Sequence, residues 1–234
     1  MLTSADPVIQ ALAQSTKTIP IVFAIAADPV ASGFAQSLRP PGANLTGLTT
    51  LSRELGPKRL EVLRDALPGM TQVAVLFEPA NPASPLDLKE IEQAAVRLRV
   101  RVTRIELRQA ADIASAFKRG AALGVNAYMS TQTPLIRAQT RSIADSALQF
   151  KIPGITSNFK GVEVGGLLSY GPNSDDNFRR AAGYVDKIFK GAKPGDLPIE
   201  QPTKFELALN MKTAKAMGLK IPPSIMLRAG RVIE

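Results

Sequence analysis

The sequence predicts an α/β fold with mainly parallel sheets, and three observations carry that prediction. Apolar runs of strand length recur along the chain, among them residues 19–26 and 73–77, and a run that is apolar throughout suits a strand covered on both faces. Short loops rich in Asp, Asn, Ser and Thr follow these runs. A helical segment then follows each loop, and strands alternating with helices specify parallel pairing. The clearest unit is residues 165–173, where two glycines and an apolar run end at a Gly-Pro-Asn turn. The next helix carries Phe178, Ala181, Ala182, Val185 and Ile188, with Ser174, Asp175, Asp176 and Asn177 as N-cap candidates.

In chain order, residues 7–15 read as a short helix with Pro7 in its first turn and Val8, Ile9, Leu12 and Ala13 on its buried side. The strand at 19–26 stops at Asp28-Pro29, after which Val30, Phe34 and Leu38 indicate a short helix. Pro40-Pro41-Gly42-Ala43-Asn44 breaks the chain before a strand at 45–49. A helix from about 56 to 67 places Leu60, Leu63 and Leu67 on one face and ends at Pro68-Gly69. Strand 73–77, loop 78–85 and helix 86–98 form the next unit. Strand 100–107 leads to a helix marked by Ile113, Ala116, Phe117 and Leu123. Strand 126–130, loop 131–133 and helix 134–150 follow, then strand 152–156 and the loop Ser157-Asn158-Phe159. Beyond the Gly-Gly unit, residues 190–198 are turn-rich and 205–209 alternate like a half-buried strand. Asn210 caps a last helix that Gly218 ends.

With 234 residues the chain can bury a real core as one large domain or two lobes. Its 45% apolar and 21% charged content is that of ordinary globular proteins. Histidine and cysteine are both absent, which removes disulfides, thiol nucleophiles, Ser-His-Asp relays and almost every zinc or copper site. No apolar run approaches the ~20 residues of a membrane-spanning helix, and residues 1–7 show no secretory signal. The net charge of +9 is spread over most of the helices, with Arg97, Arg99, Arg101, Arg104 and Arg108 the densest group. Aromatic content is only 5% and tryptophan is absent, so no base-stacking platform is expected and the bases read as a solvated surface. No nucleic-acid partner is expected.

Catalytic chemistry finds little support. Gly56-Pro57-Lys58 lacks the upstream glycine of a P-loop, and no G-x-G-x-x-G follows a strand. Asp175-Asp176 reads as a helix cap and Glu90 and Glu92 as solvent-facing charges. No catalytic residue, metal or cofactor is expected. Small-ligand binding fits better. Asp28, Asn81, Ser84, Thr131, Thr133, Ser157, Asn158 and Asn173 all lie near predicted helix starts, where free N–H groups favour a carboxylate or phosphate. Capping explains any one of them; their number on one predicted sheet edge, where open α/β folds bind ligands, makes the case.

Asp28-Pro29, residues 42–47, the Gly-Gly-Leu-Leu-Ser-Tyr-Gly stretch at 165–171, residues 181–194, 196–198 and 201–205, and the C-terminal 210–219 and 221–224 together form a pattern. The pattern resembles the ABC-transporter substrate-binding proteins of the family that includes bacterial tryptophan- and phenylalanine-binding receptors. That resemblance implies a two-lobed, periplasmic-binding-protein type I-like fold that holds a small solute between lobes closing by hinge motion. It also implies delivery to an ABC-transporter permease and a periplasmic or extracytoplasmic location. Residues 1–48 would form lobe one with a C-terminal return at about 200–234, and 49–199 lobe two. Thr3-Ser4-Ala5-Asp6-Pro7 matches the loop after a mid-lobe strand. Lobe one is therefore expected to be incomplete, with self-association through its apolar edge. For the cleft, lobe one offers Ser4 and Asp28, with Asp28 placed to meet an ammonium group. Lobe two offers Asn81, Ser84, Thr131, Thr133, Ser157, Asn158 and the Gly171 turn. Phe159 or Tyr170 packs on an apolar side chain of the solute or belongs to the core. Two alternatives stand beside this: the effector-binding core of a LacI-like regulator without its DNA-binding domain, and a small α/β enzyme. The solvated-surface reading of the basic residues predicts weak, sequence-independent retention on heparin and DNA that disappears as salt rises, measured by gradient chromatography.

Overall fold

Parallel strand pairing organises both halves of the chain. The computed structural model describes residues 1–4, 6–26, 28–30, 32–50, 52–81 and 84–234. The first elements are β1 (Leu2–Ser4), α1 (Asp6–Ser15), β2 (Ile21–Ala26), β3 (Leu45–Thr49) and α2 (Ser52–Ala66). Next come β4 (Gln72–Phe77), α3 (Ser84–Leu98), β5 (Arg101–Glu106), α4 (Asp112–Ala122), β6 (Ala127–Ser130), α5 (Pro134–Ala138) and α6 (Thr140–Gln149). The chain continues with β7 (Gly154–Thr156), α7 (Phe159–Glu163), β8 (Leu168–Pro172) and α8 (Ser174–Phe189). It closes with a 3₁₀ turn at Pro194–Asp196, then β9 (Phe205–Asn210), α9 (Met211–Met217), α10 (Pro223–Arg228) and β10 (Arg231–Ile233).

These elements divide into two units, residues 1–52 with 172–205 and residues 53–171 with 206–234. In the first unit, β1, β2 and β3 pair in parallel in that order. β2 is apolar on both faces, as its sequence predicts. Ile21 and Phe23 pack with Ile9, Phe34, Leu45 and Ile199, while Val22 and Ala24 pack with Leu48 and with Ala181 and Tyr184 of α8. The Tyr184 hydroxyl donates to Pro198 O at 2.6 Å.

The second unit is built on a seven-stranded sheet of order β10-β9-β8-β7-β6-β4-β5. Along β4, Val73, Val75 and Phe77 face a core completed by Leu60 and Leu63 of α2 and Ile91, Ala94 and Ala95 of α3. Ala74 and Leu76 face the other way, toward Ile113, Ala116 and Phe117 of α4 and Ile143 and Ala147 of α6. There the Phe117 and Tyr128 rings meet edge-on with centroids 5.1 Å apart. β5 lies at one rim of the sheet and exposes Arg101 and Arg104. β4 pairs with β5 on one side and β6 on the other. The chain therefore leaves β4 by a helix on one face and β6 by helices on the opposite face, and the carboxyl ends of that strand pair form a topological switch point.

The structure corrects several expectations. Residues 206–234 belong to the second unit and 172–205 to the first, because β9 and β10 extend the large sheet, with the Asn210 N–H donating to Leu167 O at 2.9 Å. Helix α8 instead covers β2 and β3. No helix forms over 32–38; the segment folds as turns and bends. Gly33 adopts φ +74° there, and Pro29 O accepts from both Phe34 and Ala35. Helix α2 begins at Ser52, earlier than expected, and carries Pro57 inside it. The helix expected over 134–150 is two helices that meet at Gln139, whose ψ of 19° departs from helical values. Helices α7 and α10 and strand β10 were not expected. Ala31 of the segment read as a helix, Ala5 of the 3–7 match, and Pro82 and Ala83 of the loop after β4 lie outside the described residues, as do the side chains of Pro7 and Ser174. Among the described residues no helix is long and apolar enough to cross a membrane.

Leu63 is fully buried in the large core, whereas Leu227 is 88% exposed. Leu63→Ala is expected to lower stability by about 2–5 kcal/mol and Leu227→Ala by no more than about 0.5 kcal/mol, as read by urea denaturation.

Candidate functional site

At the switch point the loops after β4 and β6 are knitted together by hydroxyl groups. The Glu78 N–H donates to Ser84 Oγ at 3.0 Å, and Ser84 Oγ lies 2.6 Å from Thr131 Oγ1. Thr131 also donates its backbone N–H to Leu76 O at 3.0 Å. Both hydroxyl residues are only 1% exposed, so the structure uses them internally, to tie one strand end to the next. Asn81 completes the turn after β4: its N–H donates to Glu78 O and its carbonyl accepts from the Ser84 N–H.

One strand further along, a pocket open to solvent lies at the carboxyl ends of β6 and β7. Ser130, Gln132 and Thr133 line it from β6, Thr156, Ser157 and Asn158 from β7, and Arg137 and Thr140 from the helices above. Of the predicted site residues this brings together Thr133, Ser157 and Asn158. Thr133 Oγ1 accepts from the Ile136 N–H at 3.3 Å and so caps α5. Asn158 precedes α7 without a side-chain cap and donates to Ser157 Oγ at 3.5 Å. Helices α5 and α7 have only five residues each, so their dipoles add little, and the polar side chains dominate the field of the pocket. Arg137 has no ion pair among the described residues. It is the strongest charge on the pocket wall. Its helical position gave no signal in sequence that set it apart from the other basic residues.

The tip of β8 closes against the same loop. A Cβ on Gly171 would lie 2.0 Å from Ser157 O, so only glycine permits this approach. Behind the tip, Arg59 of α2 is 3% exposed, and its Nε donates to Tyr170 O at 2.8 Å. Burial pulls its guanidinium pKa down to about 10, while Asp87 and Tyr170 push back. Asp87, in the first turn of α3, is itself buried. Sequence reading missed Arg59, because a basic residue on a helix ordinarily faces water.

The aromatic candidates are both half-buried. Tyr170 packs beside the large core, and the Phe159 ring is covered by the Arg231 guanidinium, 4.7 Å from its centroid. In the first unit, Ser4 ends β1 opposite Ile25 of β2. Asp28 follows β2, half-buried, and its carbonyl accepts from the Ser32 N–H at 3.0 Å. The cap of α8 is Asn173, whose side chain accepts from the Asp176 N–H at 2.9 Å, in place of the four residues expected. Among the described residues no group of three or more acidic, histidine or cysteine side chains could hold a metal ion.

The sequence model of the family described as ABC transporter substrate binding protein matches residues 1–233. The chain belongs to that family. A tyrosine-binding protein of Clostridioides difficile (strain R20291) is 25% identical to this substrate-binding-protein chain over 217 residues, covering 92% of it. The chain spans 62% of that relative's length. Among solved structures, an ABC domain from Streptococcus pneumoniae in complex with L-Trp superposes with a TM-score of 0.87 at 26% identity, covering 99% of this chain and 80% of that one. A conserved domain protein from Vibrio cholerae gives a TM-score of 0.88 at 27% identity, covering 99% and 77%. The α/β, periplasmic-binding-protein type I-like fold expected from the sequence is the fold these neighbours share.

Within this family member, Arg59→Ala is expected to lower stability by about 1–3 kcal/mol, because Tyr170 O loses its buried donor and Asp87 a nearby positive charge. Arg59→Lys is expected to restore part of that loss, since lysine returns the charge without the donor that holds Tyr170 O. Urea denaturation measures both.

Proposed function

We propose that the protein is the solute receptor of an ABC importer and that its solute is an aromatic amino acid. The observation that carries this is the polar pocket at the carboxyl ends of β6 and β7, beside the switch point, with one arginine among hydroxyl and amide groups. Such an arrangement suits a small carboxylate: Arg137 supplies a fork of donors, and Thr140, Ser157 and Asn158 supply uncharged ones. The tyrosine-binding relative and the L-Trp complex support an aromatic amino acid as the class. Asp28 and Ser4, at the corresponding strand ends of the first unit, are proposed to meet the polar groups of the solute, Asp28 its ammonium. Asn81, Ser84 and Thr131 are proposed to shape the loops behind the contact surface. Tyr170, Gly171 and Phe159 are proposed to flank the apolar part of the solute. The protein is proposed to release its solute unchanged to a membrane permease, without a cofactor, in the periplasm or an equivalent extracytoplasmic space.

A thermal-shift panel of amino acids, purines and small acids tests this. A ligand at about 100 times its Kd adds about 2.7 kcal/mol to the native state, which raises Tm by roughly 5–10 °C for a chain of this size. Tryptophan, tyrosine or phenylalanine is expected to give the largest rise, and Arg137→Ala to weaken that ligand about tenfold or more. Turnover of a substrate, or a rise with purines alone, would overturn the proposal.

A further inference from the structure

At the carboxyl end of β4 the Glu78 N–H and the Ser84 and Thr131 hydroxyls have partners within the fold. The Glu78 N–H goes to Ser84 Oγ. With Ser84 donating to Thr131 at 2.6 Å and Thr131 Oγ1 reaching Leu76 O at 3.5 Å, both hydroxyl protons are in use. Glu78 Oε2 is nonetheless buried, with no hydrogen-bond partner among the described residues, and no described ion pair involves Glu78. A carboxylate oxygen withdrawn from water without a donor is costly, and such an atom calls for a group that the fold itself does not provide.

The position of Glu78 says what that group is. Leu76 pairs with Ser130 across β4 and β6. Two residues beyond that pair, Glu78 follows β4 and Gln132, which lines the pocket, follows β6. Both therefore sit at the switch point, where ligands of open α/β sheets bind. Arg137, Thr140, Ser157 and Asn158 on the pocket wall offer donors for an acid group, while Glu78, outside that wall, is the carboxylate that follows the neighbouring strand β4. An α-amino acid carries a carboxylate and an ammonium two bonds apart on one carbon, and needs acceptors beside donors.

We propose that Glu78 accepts the ammonium group of the solute, a specificity role that selects amino acids over the corresponding des-amino acids. The assignment rests on the amino-acid receptor reading above.

Calorimetric titration of the whole chain and of Glu78→Gln, with L-tryptophan, L-tyrosine and their des-amino analogues indole-3-propionate and 3-(4-hydroxyphenyl)propionate, tests it. The unaltered protein is expected to prefer each amino acid about tenfold or more, as loss of a charged hydrogen bond requires. Glu78→Gln is expected to lose that preference by weakening the amino acids while leaving the analogues within about threefold. Its ligand-free melting temperature serves as the control for folding. Unchanged amino-acid affinity in Glu78→Gln overturns the assignment and leaves the receptor reading standing, with Oε2 met by water alone. Equal binding of amino acid and analogue by the unaltered protein overturns it too, even if no variant folds. Absence of binding by all four compounds overturns the receptor reading and this assignment with it.

Discussion

The parallel pairing of β4 with β6, from Val73 against Ala127 to Leu76 against Ser130, is the constraint on which the second unit depends. It brings together two strands whose following helices lie on opposite faces of the sheet. The loops after β4 and β6 meet at these strand ends through Ser84 and Thr131, and the pocket opens one strand further along, at β6 and β7. The β4 strand, covered on both faces by apolar side chains, holds these strand ends with the rigidity of a close-packed core.

Polar groups along the edge fall into two kinds. Ser84, Thr131, Thr133 and Asn173 hydrogen-bond within the fold, Ser84 with Thr131 across two loops and Thr133 and Asn173 at the helix starts they cap. They hold strand ends and helix starts in place. Arg59 acts on a larger scale: a buried cation tied to Tyr170 O fixes the tip of β8 against α2, and Asp87 keeps that cation charged in a dry setting. Gln132, Arg137, Ser157 and Asn158 form the other kind, turned toward the pocket. Binding surfaces of this sort work because the first kind makes the second rigid before the ligand arrives.

The strands were legible because burial on two faces demands unbroken apolar runs, and β2 and β4 are such runs. Helix caps at Asn210 and the stop at Gly218 were legible for local reasons, since cap chemistry is written in one or two residues. The division between units was not. Whether residues 206–234 join one sheet or the other depends on long-range pairing to β8, which leaves no mark in the sequence of β9. Short elements such as α7 and α10 are stabilised by what they pack on, as Val162 and Ile225 show by their complete burial, and not by their own propensity. At the candidate site, the residue types were legible but their division of labour was not. Thr131 and Thr133 look alike in sequence, and only the fold shows one facing inward to Ser84 and the other capping a helix on the pocket wall. Glu78 passed unnoticed because a glutamate just past a strand looks like a solvated loop charge.

The arginines exposed along β5 bear on how one molecule meets another. An outermost strand offers unpaired backbone groups, and a second copy could in principle add to the ladder and begin cross-β growth. Arg104 is partly neutralised by its two bonds to Glu92, but Arg101 stands out from the same rim. Two such rims brought into register would place guanidinium groups against guanidinium groups. That guard is electrostatic, and it fades when the Debye length shrinks to about 3 Å near 1 M salt. Concentrated salt thus removes the colloidal protection of this rim even as it favours burial of the apolar core.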